Sequence, residues 1–300
     1  MNYYTIKDLE IISGIKAHTI RIWEKRYGFL VPERTSTNIR FYTDEELKLL
    51  LNVAALVKRG HKISKVAAYG EQRIHEEVLK LSEQSSSMDD YLDQLVIHII
   101  NFDHLKFERV LDSVQEKLGF EKMMTELVFP LFRKIGIYWQ IGSLFPAQEH
   151  LISNLIRQRI IVEAARCSVS DQAPTALFFL PENEWHELGL LYSRYLAAKA
   201  GVNVIYLGQN VPLDDLQALS DQIANRLAVV VTSFVSAIEK EKLEDELQKI
   251  GGIFPNIPVV VSGMQVRISE PQLPANVRFV QHYDEFHDWL LKKALPGTFD

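Results

Sequence analysis

The C-terminal half of the chain begins with the stretch TALFFL at residues 175–180. Four more short runs, rich in apolar and β-branched residues, follow it: VNVIYLG at 202–208, LAVVVTSF at 227–234, IPVVVSG at 257–263 and VRFV at 277–280. Strands that are apolar along their whole length and alternate with helices are typical of a parallel sheet covered on both faces. The pattern therefore predicts an α/β flavodoxin-like doubly wound parallel sheet over residues 174–300, with ligands bound beyond the C-terminal ends of the strands.

Residues 88–168 differ from this pattern, because their apolar positions recur at helical spacing. Four amphipathic runs with short connections cover residues of about 89–101, 104–117, 120–139 and 147–166. They predict a four-helix bundle. Polar stretches at Ser82–Ser87 and Ser168–Pro174 predict linkers on either side of the bundle.

Residues 1–80 combine short helices with a loop. The spacings Thr5–Asp8 and Thr43–Glu46 predict capping boxes at the start of two helices. Gly14 and Gly28 predict the ends of the first two helices. Two short helices joined by a tight turn predict an all-α helix-turn-helix whose second helix enters the major groove of DNA, and a loop with a short strand follows them.

The charge of the chain is divided between its parts. Residues 1–75 hold 13 Lys and Arg against 8 Asp and Glu, so their net charge is +5, whereas the remaining 20 and 31 give the rest of the chain −11. The total of −6 argues against a protein that binds nucleic acid over its whole surface. The asymmetry predicts a local DNA-binding module joined to an acidic remainder.

The second predicted helix and the following loop carry side chains suited to DNA. Arg21 and Lys25 are four residues apart and share a helix face, where they can contact guanine or neutralise phosphate. Trp23 is assigned to the core. The predicted DNA-binding residues are His18, Thr19, Arg21, Lys25, Arg26, Arg40 and Tyr42.

A second candidate site directly follows the first predicted strand. His186 lies where this fold places ligands, and its imidazole could bind a metal through one nitrogen while Glu184 orients the other. Gly189 would let a bulky planar ligand approach the backbone. The alternative is an ordinary solvated histidine in a loop.

Composition sets further limits. The hydrophobic fraction of 47% and the charged fraction of 24% exclude a disordered or fibrous chain. The single cysteine, Cys167, excludes an intramolecular disulfide. With no apolar run of membrane-spanning length and no signal peptide at the N-terminus, we expect a soluble, cytoplasmic protein without membrane partners. We find no motif of a known catalytic site, so we predict neither catalytic residues nor enzyme activity.

The N-terminal residues resemble a known family. The stretch TIRIWEKRYG at 19–28, followed by IRFYTDEEL at 39–47, is similar to the winged helix-turn-helix of MerR-family transcription regulators. The resemblance covers about 70 residues. It implies that Arg21 approaches the groove while Arg40 and Tyr42 lie on the wing. MerR proteins usually dimerise through a long helix after this domain, and SEQSSS stands there instead, so we expect a homo-oligomer assembled through the C-terminal half.

The C-terminal half resembles cobalamin-binding proteins. Glu184-x-His186-x-x-Gly189, then Ser233-Phe234-Val235 after 43 residues and Ser262-Gly263 after 26 more, is similar to the signature Asp-x-His-x-x-Gly, Ser-x-Leu, Gly-Gly. The resemblance implies that His186 replaces the nucleotide base as lower ligand to cobalt. Ser233 would bond the displaced base, and Gly263 would make room for it. The cofactor-binding residues that it implies in this half are Glu184, His186, Gly189, Ser233, Val235, Ser262 and Gly263.

The helical segment adds a second match. Trp139, nine further residues and then Glu149-His150 resemble the Trp-x9-Glu-His motif of CarH/LitR-type regulators, in which a four-helix bundle caps adenosylcobalamin. The resemblance implies that Trp139 stacks near the adenosyl group and that Glu149 bonds it. In the best-known relatives a His follows that Trp and captures cobalt after light releases the adenosyl group. Gln140 stands there in this chain, and an amide is a poor cobalt ligand beside imidazole.

These observations favour a DNA-binding transcriptional regulator that acts as a repressor. Cobalamin, in the form of adenosylcobalamin, is the expected controlling cofactor, and light is a further expected signal. One alternative keeps the DNA-binding fold but has a sensory half that no longer binds cofactor and acts through protein contacts. Another alternative is a corrinoid-dependent methyltransferase component. The predicted DNA-binding module argues against it.

Overall fold

The computed structural model describes residues 4–34, 40–70, 72–74, 76–78, 87–140 and 146–294. Within these ranges, side chains are described except at residues 44, 137–140 and 291–294. The chain forms two compact units, Met1–Ile152 and Ser153–Asp300. The division falls inside a helix and not at Ser168–Pro174, and the three-domain division stays a prediction. Among the described helices, none is both long and apolar enough to cross a membrane.

The first unit begins with a winged helix-turn-helix. Its elements are α1 (Ile6–Ser13), α2 (Ala17–Tyr27), β1 (Glu33–Arg34), β2 (Arg40–Phe41), α3 (Asp44–Lys58) and α4 (Ile63–Val66). The two strands pair antiparallel and form the wing. Both predicted capping boxes are present, and Gly14 and Gly28 end their helices with φ of 71° and 67°. Glycine adopts this left-handed backbone without strain, so these predictions are confirmed.

The helical segment follows the predicted pattern closely. Its elements are α5 (Met88–Ile100), α6 (His104–Leu118), α7 (Phe120–Lys122), a π-helical turn (Met123–Val128), α8 (Phe129–Gln140) and α9 (Pro146–Ala165). Ser87 caps α5 with its side chain, while Ser82–Ser86 lie outside the described residues. The π-helical turn was not predicted. Pro130 follows it, and a wider turn accommodates a proline ring that would clash with a regular α-helix.

The second unit contains a doubly wound sheet. Its strands are β3 (Thr175–Pro181), β4 (Asn203–Val211), β5 (Leu227–Ser233), β6 (Val259–Ser262) and β7 (Val277–Phe279). They pair in parallel in the order β4-β3-β5-β6-β7. Its helices are α10 (Leu188–Lys199), α11 (Leu213–Ile223), α12 (Lys240–Ile253), α13 (Met264–Ser269) and α14 (Tyr283–Ala294). The predicted fold is confirmed, and the order reverses between β3 and β5, where such sheets hold ligands.

An acidic pair joins the DNA-binding part of the first unit to its helical part. Asp93 on α5 lies 3.0 Å from Nζ of Lys58, at the end of α3, and 2.9 Å from Nζ of Lys134 on α8. One turn earlier, Asp90 pairs with Arg59 at 2.7 Å. Burial by itself would raise the pKa of Asp93, but the charges of Lys134 and Lys58 outweigh it and lower that pKa. The DNA-binding helices are therefore fastened to α5 by charge.

We expect Asp93→Asn to lower the free energy of unfolding by about 1–2 kcal/mol at pH 7, because the partly buried Lys134 and the exposed Lys58 lose their charged partner. The pKa is lowered in the folded protein, so the stabilisation is present above the pKa of an unfolded aspartate, about 3.9, and is lost as the pH falls through the folded value. Urea unfolding followed by circular dichroism at pH 7 and pH 3 measures both effects. Asp245→Asn, which breaks an exposed pair with Lys249, is the control, and equal losses in the two variants would contradict the prediction.

Candidate functional site

The carboxylate of Glu184 ties together the loops after β3 and β5. Within its own loop, the backbone N–H groups of Trp185 and His186 donate to Oε1, each at 2.9 Å. From the loop after β5, the backbone N–H groups of Val235 and Ser236 donate to Oε2, each at 2.7 Å, and the Ser236 hydroxyl donates to Oε1 at 3.0 Å. Glu184 is only 3% exposed. These donors therefore replace the water that the carboxylate loses on burial.

The charge of Glu184 determines which ring nitrogen of His186 carries the proton. Burial by itself would raise the pKa of Glu184, but hydrogen bonds from His186, Ser236 and Val235 outweigh it and lower that pKa to about 2. An ionised carboxylate only accepts hydrogen bonds, so Nδ1 of His186, 2.7 Å from Oε1, carries a proton and donates. In the neutral imidazole Nε2 then holds the lone pair that binds a metal ion. The imidazole is 61% exposed, so a ligand can approach it.

The sequence analysis did not predict Ser236 as a site residue. Its hydroxyl lies 3.0 Å from Oε1 of Glu184 and 3.2 Å from Nδ1 of His186. The one available signal was its position directly after Ser233-Phe234-Val235, and nothing local indicates that it reaches a residue 52 positions earlier. The loop also receives support from β4, where the side chain of Gln209 donates to the carbonyl of Trp185 at 2.6 Å.

Ser233 and Ser262 lie side by side at the ends of β5 and β6, where they are register partners. Ser233 is buried and Ser262 half-buried. The neighbouring Thr232 is fully buried, and its hydroxyl has no hydrogen-bond partner among the described residues. Adjacent side chains of a strand face opposite sides of the sheet. The end of β5 thus holds hydroxyl groups on both faces, one of them buried without a partner among the described residues.

Two glycines of the signature have identifiable neighbours. Gly263 has φ of 111°, and a Cβ there would clash with the carbonyl group of Phe234. A Cβ on Gly189 would lie 3.1 Å from the Tyr283 hydroxyl, and burial raises the pKa of that phenol to about 12. In the structure these positions make room for the protein itself. Their roles toward a ligand stay predictions.

The helical motif lies partly within the described residues. Pro146 is the first residue of α9 and Glu149 lies in its first turn, as predicted. Oε2 of Glu149 is 3.2 Å from Nδ1 of the exposed His150. Trp139 and Gln140 end α8, and their side chains lie outside the described residues. The roles assigned to this motif stay predictions.

The predicted DNA-reading helix, α2, has one polar face. His18, Arg21, Lys25 and Arg26 are exposed and Thr19 is half-buried, whereas Trp23 is buried against Phe29 as expected. Basic residues on an exposed helix face suit phosphate and base edges. That these residues contact DNA stays a prediction.

The wing requires one correction. Tyr42 is fully buried, and its hydroxyl donates to Oε2 of Glu24 on α2 at 3.1 Å, while Nε of Arg40 donates to Oε1 at 3.1 Å. Burial, together with the charge of Glu24, raises the pKa of Tyr42. A buried hydroxyl cannot reach a phosphate, so the predicted DNA contact of Tyr42 is wrong. Tyr42 and Arg40 fasten the wing to α2, and Arg40 alone of the two keeps an exposed part.

Comparison with known proteins decides the family. Residues 4–72 match the MerR HTH family of regulatory proteins, and residues 91–162 match a B12 binding domain. The chain is 31% identical over 271 residues to the HTH-type transcriptional repressor CarH of Myxococcus xanthus, which covers 88% of this chain and 90% of the relative. The repressor CarA of the same organism is 31% identical over 267 residues, 87% of each chain. This chain belongs to the CarH and CarA family of HTH-type transcriptional repressors.

A solved structure shares the fold. The monomethylamine corrinoid protein of Methanosarcina barkeri is similar with a TM-score of 0.53 over 69% of this chain and 99% of that one, at 12% sequence identity. At this identity the likeness concerns the fold alone. The family match confirms the predicted MerR-type regulator with a B12-binding domain.

We expect Gly263→Ala to lower the free energy of unfolding of this family member by about 3 kcal/mol or more, because the added methyl group meets the Phe234 backbone at a strained φ. Gly252→Ala is the matched control, since a Cβ there meets nothing within 4 Å. That change, near the end of α12, should stabilise the helix by about 0.5–1 kcal/mol. Thermal unfolding of both variants tests the contrast, and similar stabilities would refute it.

We expect Arg21→Ala to weaken binding to duplex DNA and to lower the slope of log affinity against log salt by about 1 if Arg21 contacts phosphate, or to relax base preference at one position if it contacts a base. The probe is a duplex selected from random-sequence DNA by the wild-type protein, followed by fluorescence anisotropy. The control Lys242→Ala removes an exposed cation of the second unit. Unchanged affinity and preference in Arg21→Ala would remove this residue from the DNA interface.

Proposed function

We propose that this protein is a transcriptional repressor whose affinity for operator DNA, or whose assembly, is controlled by cobalamin. The observation that carries the proposal is the ionised Glu184 carboxylate hydrogen-bonded to Nδ1 of an exposed His186 at the switch point of the sheet. This arrangement leaves Nε2 as a ready metal ligand. The family relationship to CarH and CarA supports the regulatory role.

The residues of this chain fit the cofactor. His186 would bind cobalt as its lower ligand, with Glu184 and Ser236 fixing the imidazole ring. Ser233 and Ser262, with Val235, Gly189 and Gly263 around them, would receive the displaced nucleotide base at the ends of β5 and β6. Trp139, Glu149 and His150 of the helical motif would contact the upper side. When bound, adenosylcobalamin would supply a cobalt centre that exchanges ligands and a light-sensitive cobalt–carbon bond.

Control of DNA binding requires a difference between two states. A ligand shifts an equilibrium only by the ratio of its affinities for the two states, and a change from 1:99 to 99:1 requires a ratio of about 10,000. We therefore propose that cobalamin binds two assemblies of this chain unequally. The homo-oligomer would form through the C-terminal half, and the operator would be read by α2.

Two further parts of the proposal concern activity and light. We propose that the chain is a regulator without enzyme activity, as the names of its relatives suggest, and not a corrinoid-carrying methyltransferase component. With Gln140 after Trp139, we propose that the protein responds to the cofactor and forms no stable bis-histidine product after illumination. The cytoplasm is the expected compartment for a DNA-binding regulator.

We expect Glu184→Gln to weaken binding of hydroxocobalamin by about 10–100-fold, because the amide cannot hold Nδ1–H of His186 with the strength of a carboxylate. His186→Ala should abolish the visible spectrum of the histidine-ligated cofactor. His61→Ala, which changes a histidine of the DNA-binding part, is the control and should bind like the wild type. Spectrophotometric titration measures all three, and a histidine-ligated spectrum in His186→Ala would exclude His186 as the ligand.

Purification in the dark with adenosylcobalamin tests the whole proposal. The visible spectrum and the assembly state are recorded before and after green light. Bound corrinoid that changes the assembly state supports the proposal. A wild-type protein without bound corrinoid would overturn it and favour a sensory half that acts through protein contacts only. Bound corrinoid without any effect of light would limit the control to the cofactor itself.

A further inference from the structure

A second buried carboxylate, that of Glu187, directly follows His186 in the sequence. Glu187 is 5% exposed, and its two oxygens accept hydrogen bonds from two different elements. Nε of Arg157, on α9, donates to Oε2 at 2.7 Å, and the hydroxyl of Tyr206, on β4, donates to Oε1 at 2.9 Å. None of these residues belongs to the signature or to the helical motif. The cluster therefore needs a separate explanation.

The surroundings of Glu187 hold its carboxylate in a fixed position. The hydrogen bond and the charge of Glu187 raise the pKa of Arg157. Burial, with the charge of Glu187, raises the pKa of Tyr206. The guanidinium of Arg194 lies 5.4 Å from the centre of the Tyr206 ring, within the range of a cation–π contact. Two side chains from separate elements, Arg157 and Tyr206, thus hold the Glu187 carboxylate.

Local structure does not require this arrangement. Glu187 occupies the N-cap position of α10, yet its side chain makes no capping hydrogen bond there. An acidic residue at a helix start commonly stabilises its own helix. Here the carboxylate turns away from α10, toward α9 and β4. The contact therefore fixes the position of the loop and not the start of the helix.

We propose that Arg157 and Tyr206, through Glu187, are positioning residues for the imidazole of His186. Glu184 fixes the rotation of the ring by binding Nδ1, and Glu187 fixes the backbone that carries it. Glu187 directly follows His186, so a displacement of its anchored side chain moves the imidazole. This inference rests on the proposed function, because positioning matters here only if His186 binds cobalt.

The test is a double-mutant cycle in the full-length protein with hydroxocobalamin as the probe. Arg157→Met keeps the length of the side chain and removes its charge. We expect it to weaken binding about tenfold, as is usual for groups that hold a metal ligand in place. In a His186→Gly background with imidazole supplied from solution, the ligand is no longer attached to the loop. There we expect Arg157→Met to change the affinity by less than about twofold. Arg166→Met, which breaks an exposed pair with Glu163, is the control.

A merely structural role gives a different result. Damage to the sheet would weaken binding equally in both backgrounds, and such equality would overturn the proposal, as would an unchanged affinity of Arg157→Met in the wild-type background. If Arg157→Met fails to fold, Tyr206→Phe removes a single hydroxyl and should weaken binding about threefold in the wild-type background alone.

Hydrogen exchange of the cofactor-free protein separates this inference from the proposed function. We expect amides of residues 182–187 to exchange about tenfold faster in Arg157→Met, with β5 unchanged. If the wild-type protein binds no hydroxocobalamin, the proposed function fails, and faster exchange would still support the anchoring of the loop. Unchanged exchange would overturn the anchoring whether or not cobalamin binds.

Discussion

The arrangement of the loops after β3 and β5 depends on the ionised carboxylate of Glu184. It accepts four backbone N–H groups, from Trp185, His186, Val235 and Ser236, in addition to the Ser236 hydroxyl. Without it, the half-buried donors of Val235 and Ser236 would lose their partner, at a cost of about 1–3 kcal/mol each if water cannot replace it. The same carboxylate also decides which nitrogen of His186 keeps its lone pair. Folding of the two loops therefore also fixes the tautomer of the candidate metal ligand, His186.

Two carboxylates flank His186 and have different partners. Glu184 accepts hydrogen bonds from its own loop and from the loop after β5, so its position depends on the relative placement of these two loops. Glu187 accepts hydrogen bonds from Arg157 and Tyr206, so its position depends on the placement of α9 and β4. A buried carboxylate that lost its cationic partner would be destabilised strongly. His186, the candidate metal ligand, thus lies between two groups that each resist displacement.

Local sequence predicted the elements well and the site only in part. Helix starts, glycine stops and the five strands follow from periodicity and capping, which act over a few residues. The π-helical turn before Pro130, the buried Tyr42 and the roles of Ser236 and Arg157 were not predicted. Glu184 and Ser236 are 52 residues apart, and Arg157 and Glu187 are 30 apart. No local pattern reports such contacts, because they form only when separate strands and helices pack together.

The sequence by itself determined the family, the order of the helices and strands, and the identity of the candidate metal ligand, because motif residues and hydrophobic periodicity are properties of the linear chain. The tertiary structure alone decided how that ligand is held. The parallel sheet brings the ends of β3 and β5 together, and only then do Glu184 and Ser236 meet. It also decided that Tyr42 serves the wing and not the DNA. In each case the reason is burial, which compels a polar group to take its partners from whatever element packs beside it.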